Sequence, residues 1–210
     1  MTAHWSRLAS LTGLVFSGLL VAAFVVGGSS PNADWSAQRV VSWYTAHHKS
    51  QNATVYLLGY GAFFVLLFAA ALRSYLRRRS ASDGLIALGF GGGIVFALAL
   101  ATAAGLTSAA VDAPAKIDPA AEQALNVLAN DVFFVSLLVG LAGFAIGYGI
   151  AIAHSGVLPK WLGWLGIVIG IAAVVPIVGW IAFLAVIIWV GIVSIVMFLR
   201  PIDAPAPPAA

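Results

Sequence analysis

Cysteine is absent from these 210 residues, so no disulfide, thiolate metal site or cysteine nucleophile is available. Charge is scarce as well. Lys and Arg total 10 and Asp and Glu 7, or 8% of the chain, against roughly 25% in an ordinary soluble domain. A net charge of +3 built from so few groups marks no basic face, and no aromatic-interleaved basic sheet is present, so nothing points to a nucleic-acid partner. The charges also avoid six long apolar runs: 8–26, 53–72, 85–106, 132–153, 162–178 and 180–199 contain no Asp, Glu, Lys, Arg or His. That removes the intramembrane groups on which ion- or proton-coupled transport usually depends.

What is there is apolar. Hydrophobic residues make up 62% of the chain, more than its polar surface could cover in water. Each run has about 17 to 22 residues, close to the roughly 20 that carry a helix across a hydrocarbon core. The expectation is an all-α polytopic membrane helix bundle of six transmembrane helices in one domain, 1–200. A Pro/Ala-rich tail, 201–210, is expected to be disordered and cytoplasmic. The first run is longer than a signal-peptide core and reads as a retained span.

With a cytoplasmic N-terminus, the inner segments hold Arg7, Arg73, Arg77, Arg78, Arg79, Lys160 and Arg200, and the outer ones Arg39, Lys49 and Lys116. That bias predicts both termini inside. Trp5, Trp161 and Trp164 then mark the inner interface, and Trp180 an outer turn. Pro176, Gly179 and Trp180 mark the tight turn between the last two spans. Arg outnumbering Lys, with abundant Ala, Gly and Val, suggests a bacterial plasma membrane.

Two outer segments read as amphipathic, extracytoplasmic helices. In 34–49, Ala37, Val40, Val41, Tyr44 and His48 share a face, with Asp34 as N-cap. In 118–131, Ala121, Leu125, Leu128 and Val132 form a stripe opposite Gln123, Asn126 and Asn130, and Asp118-Pro119 starts the helix. Span, outer helix, span therefore occurs twice. The helices either lie on the outer leaflet or form a lid or docking surface.

Chemistry has few places to reside. No Ser/His/Asp, paired-carboxylate or metalloprotease pattern is present, so no catalytic residues, cofactor or metal are expected. The histidines stand too far apart to ligate one haem, and adjacent His47 and His48 point about 100° apart on a helix. Trp43, Tyr44, His47 and His48, with Asp131 entering from the same side, are the only aromatic, imidazole and carboxylate groups that can meet, and form a candidate ligand- or partner-binding surface. The alternative is an interfacial anchor. Arg73, Arg77, Arg78 and Arg79 either set topology or contact anionic lipid headgroups on the cytoplasmic side. The pairs Gly89/Gly93, Gly143/Gly147 and Gly166/Gly170 predict close helix packing.

Three stretches carry a resemblance: Val40 to His48 (VVSWYTAHH), Ala71 to Arg78 (ALRSYLRR) and, most specifically, Ser155 to Gly166 (SGVLPKWLGWLG). Through them the chain resembles uncharacterised bacterial multi-span proteins of the DUF4386 type. The resemblance implies a topology and no activity or site residues. The expected role is binding of a lipid, hydrophobic ligand or membrane partner without catalysis. The alternative is a small oligomeric transporter or channel-like pore.

Overall fold

The structure is a computed structural model that describes residues 8–78, 82–114 and 116–200, with Asp131, Val132, Phe133 and Pro176 described for their backbone alone. Its elements are helical: α1 (Thr12–Gly27), α2 (Ala37–Ala46), α3 (His48–Arg77), α4 (Asp83–Asp112), α5 (Pro119–Val127), a π turn (Leu128–Val132), α6 (Phe133–Ser155), α7 (Lys160–Ala173), a 3₁₀ turn (Pro176–Val178) and α8 (Gly179–Leu199). The expected tail, 201–210, lies outside the described residues, as does Arg79.

Among the described residues, five helices are long and apolar enough to cross a membrane: Leu8–Gly27, His48–Arg77, Asp83–Asp112, Pro119–Ser155 and Gly179–Leu199. Their flanks agree with that setting. Leu98, Val139, Val168, Ile181 and Ile188 are each at least 60% exposed, an apolar surface that water would disfavour. The fifth apolar run differs from expectation. It does not form one helix over 162–178, because α7 ends at Ala173 after 14 residues. At about 1.5 Å per residue that is roughly 21 Å, short of the roughly 30 Å core. Pro176 has no N–H to continue the ladder, and it opens the 3₁₀ turn that reverses the chain.

The long helices close a ring in the order α1, α3, α4, α6, α7, α8 and back to α1. Its centre is filled by Phe16, Phe68, Phe96, Phe144 and Trp189, all with no exposed surface. Their rings meet largely edge to face, as with Phe16 and Phe96 at 6.0 Å and Phe144 and Trp189 at 5.9 Å.

Glycine sets how closely the helices approach. A Cβ on Gly89 would come within 2.9 Å of Tyr148 N, and one on Gly147 would strike the backbone of Gly89. Gly93 faces Ala69 Cβ at 2.9 Å, and Gly170 faces Ile146 N at 3.0 Å, while Gly166 forms the seat of the Trp189 indole. Gly143 is looser, with Gly92 Cα 3.3 Å from its Cβ position. The tightest contacts include glycines that GxxxG spacing does not mark: Gly92 and Gly140 between α4 and α6, and Gly149 and Gly163 between α6 and α7.

Hydroxyls add short ties between helices. Ser17 Oγ donates to Ile187 O at 2.7 Å, Ser194 Oγ to Ser10 O, and Tyr148 OH to Ala69 O at 2.6 Å. With lipid as the alternative surroundings, such bonds and close packing hold helices together.

Candidate functional site

At one end of the ring, α2 and α5 pack on each other and on the end of α4. This cap has its own small apolar cluster, in which Val40 and Tyr44 of α2 meet Ala110 and Val111 of α4, with Trp35, Trp43 and Leu125 alongside. α2 begins after Ser36, whose extended backbone makes it the N-cap. Asp34 precedes it in a turn, so the expected Asp34 cap is not formed. α5 starts as its sequence implies: Asp118 accepts from Ala120 N at 2.8 Å and Pro119 takes the first helical position.

α5 buries its polar row, and of the described residues of its apolar stripe only Leu125 packs into the cap. Glu122, Asn126 and Ala129 are buried, whereas Ala121 and Leu128 of the apolar stripe are exposed. The reason is the solvent. Beside a bilayer an apolar stripe can face outward, while polar groups gain by turning toward protein partners.

Those partners form a network. Tyr44 OH donates to Asn126 Oδ1 at 3.2 Å, and Asn126 Nδ2 donates to Pro31 O at 3.3 Å. Asn130 Nδ2 donates to Asn126 O at 2.9 Å, and Gln123 Nε2 donates to Ala33 O. Segment 31–33 is thereby tied to α5, and α5 to α2. Glu122 lies on the same face as Asn126, one turn earlier. It has no exposed surface, and both its carboxylate oxygens lack a hydrogen-bond partner. Burial pushes its carboxyl above the ordinary carboxylate range. Burial, with the Glu122 charge adding to it, pushes the Tyr44 hydroxyl up to about 12.

The structure keeps three of the expected residues in contact. Trp43, half-buried beside the cap cluster, stacks on the exposed His47 ring at 4.4 Å and meets the Tyr44 ring edge to face at 5.2 Å, with His47 Nδ1 donating to Trp43 O at 2.9 Å. Tyr44 is buried in the cap. His48 does not share the face of α2, because the helix breaks at His47 (φ −106°, ψ 16°) and His48 opens α3. The side chain of Asp131 lies outside the described residues, and its backbone forms part of the π turn. Glu122 was absent from the expected set, although the row Glu122, Asn126, Asn130 at i, i+4 and i+8 is visible in the sequence. Among the described residues no group of three His, Cys, Asp or Glu could hold a metal ion.

A second feature lies below the cap, where the exposed flanks of α3 and α4 leave a lateral groove of about 490 Å³. Tyr56 and Tyr60 of α3 form one wall, 60% and 57% exposed, and Ala104 and Ser108 of α4 the other. Gly59 and Gly105 form part of its lining, and neither Cβ position meets an atom within 4 Å. The groove is therefore open because two side chains are missing.

The arginines at the opposite end are partly engaged. Arg73 lies over the Phe90 ring at 4.7 Å, and Arg77 pairs with Asp83 at 3.2 Å. That pair is exposed and contributes little. Arg78 is exposed at the end of α3. Comparison of the chain with family models, with curated proteins and with solved structures finds no match.

Proposed function

We propose that this is a non-catalytic, multi-pass membrane protein that holds the apolar chain of a lipid in the groove between α3 and α4. The observation that carries the proposal is the groove itself. It opens sideways on two helices long and apolar enough to cross a membrane, so its surroundings are acyl chains. Tyr56, Tyr60 and Ser108 supply hydroxyls for the polar end of such a molecule, and the glycines supply room for its tail. A channel-like path would have to form between copies, because aromatic rings fill the ring centre.

The topology that suits this role has six crossings and both termini in the cytoplasm of a bacterium, with α2 and α5 outside. α7 counts as the sixth crossing because it fills one of the six places in the ring. The DUF4386-type resemblance read from the sequence implies the same arrangement. Arg78, exposed at the end of α3, is then available to anionic headgroups of the inner leaflet. A cysteine replacing Ser36 should react with an impermeant thiol reagent added outside, and one replacing Ser80 should not. The opposite pattern would invert the protein.

Groove occupancy has its own test. Gly59→Leu with Gly105→Leu fills the groove where added atoms meet open space, so thermal stability in detergent should hold or rise. Native mass spectrometry should find lipid on the wild-type protein and little on the double variant. Equal retention by both would remove the groove as the binding site.

A further inference from the structure

We propose that Glu122 is a proton-binding site, holding its carboxyl neutral while the cap is docked, and that loss of this proton loosens α2 and α5 from the end of α4.

The argument starts from unmatched acceptors. Glu122 Oε1 and Oε2, and Gln123 Oε1 beside it in sequence, are buried without a donor. Neighbouring donors are directed elsewhere: Tyr44 OH and Asn130 Nδ2 go to Asn126, and Asn126 Nδ2 spends one of its two N–H groups on Pro31 O. A buried carboxylate that receives no hydrogen bond is costly, and the usual resolution is that it takes up a proton. Position in the first turn of α5 favours the charged form through the helix dipole, but that effect is small beside burial. A metal cation suits the site less well. Glu122 has no exposed surface, Asn126 Oδ1 is occupied, and no second acid completes a ligand set among the described residues. A proton needs no added volume.

Among the described residues, the groups that could answer for a pH response are few. Tyr44 faces Glu122 from α2 and stays protonated well above neutrality. Asp34 before α2, Arg39 and His47 on α2, Asp112 on α4 and Asp118 on α5 itself are exposed, and Arg39 lies over the Trp35 ring. Glu122 binds its proton more tightly in the docked cap than in an open chain. Its contribution to docking is therefore complete at acid pH and is lost as pH rises through the raised value.

Hydrogen exchange of the full-length protein in nanodiscs, at pH 5 and pH 8 and corrected for intrinsic rates, reads this directly. Opening of residues 37–46 and 119–127 should increase from pH 5 to pH 8 by about tenfold for each pH unit above 5 to which docking raises the carboxyl. The wild-type comparison needs no variant. Glu122→Gln should keep the cap slow at both pH values, and His47→Gln should leave the response in place. A wild-type cap indifferent to pH, or a Glu122→Gln cap that responds like wild type, overturns the proposal. So does rescue of the pH 8 cap by added sodium, potassium or calcium, which would make the occupant a metal cation.

Discussion

Gly147→Ala should lower the stability of the folded protein by roughly 3 kcal/mol, at the upper end of what a single overpacked methyl costs. The added Cβ would strike the backbone of Gly89, whose Cα lies 2.7 Å away, and Leu85 O at 2.9 Å. Backbone atoms inside a helix cannot swing aside as a side chain can, so α4 and α6 would have to separate. Gly143→Ala is a matched control four residues earlier. Its methyl would meet Gly92 Cα at 3.3 Å, which needs only a few tenths of an ångström of give, so its cost should be well under half as large. Gly105→Ala, with open space around it, should be neutral or slightly stabilising through helix propensity. Reversible unfolding in mixed micelles would order the three. Equal losses at 143 and 147 would mean that α4 and α6 are not in backbone contact.

The helices themselves were legible because their signal is coarse. A charge-free apolar run of span length has few other readings, and α1, α3, α4, α6 and α8 follow from it. α7 was harder, since hydropathy alone carries no stop at Ala173. The run stays apolar through Val178, and only the missing N–H of Pro176 separates helix from turn. Packing was half legible. GxxxG spacing finds Gly89, Gly147 and Gly166, but Gly92, Gly140 and Gly163 are picked out by the partner helix, which one sequence does not display.

The candidate sites were hidden for two different reasons. Helical periodicity identified a two-faced α5 without saying which face meets protein, and beside a bilayer the polar row of Glu122 and Asn126 is the buried one. The groove has no motif, because Gly59 and Gly105 act by lacking side chains, and helical spacing shows no sign of their facing one another across two helices. Tyr44 was found, but its grouping with His48 failed at one backbone break, at His47.

Trp189→Ala should cost about 4 kcal/mol, within the range for deleting a fully buried indole, and should release α7 before the rest of the bundle. Trp189 has no exposed surface, donates through Nε1 to Leu162 O at 2.8 Å, and packs edge to face on Phe144. It thus joins α8 to both α6 and α7. α7 depends on that support more than its neighbours do, because roughly 21 Å of helix is too short to be positioned by the bilayer alone. The shape of the seat gives a sharper test. A Cβ on Gly166 would lie 2.9 Å from Trp189 Cζ2, an atom that phenylalanine lacks. Gly166→Ala should therefore destabilise the wild-type protein by about 1–3 kcal/mol through overpacking. In a Trp189→Phe background the same methyl enters the space the indole leaves, and should cost less by about 1 kcal/mol, a coupling typical of residues in contact. Strict additivity of the two changes would show that the indole does not rest on Gly166, and the anchoring of α7 would then have to come from its glycine contacts with α6.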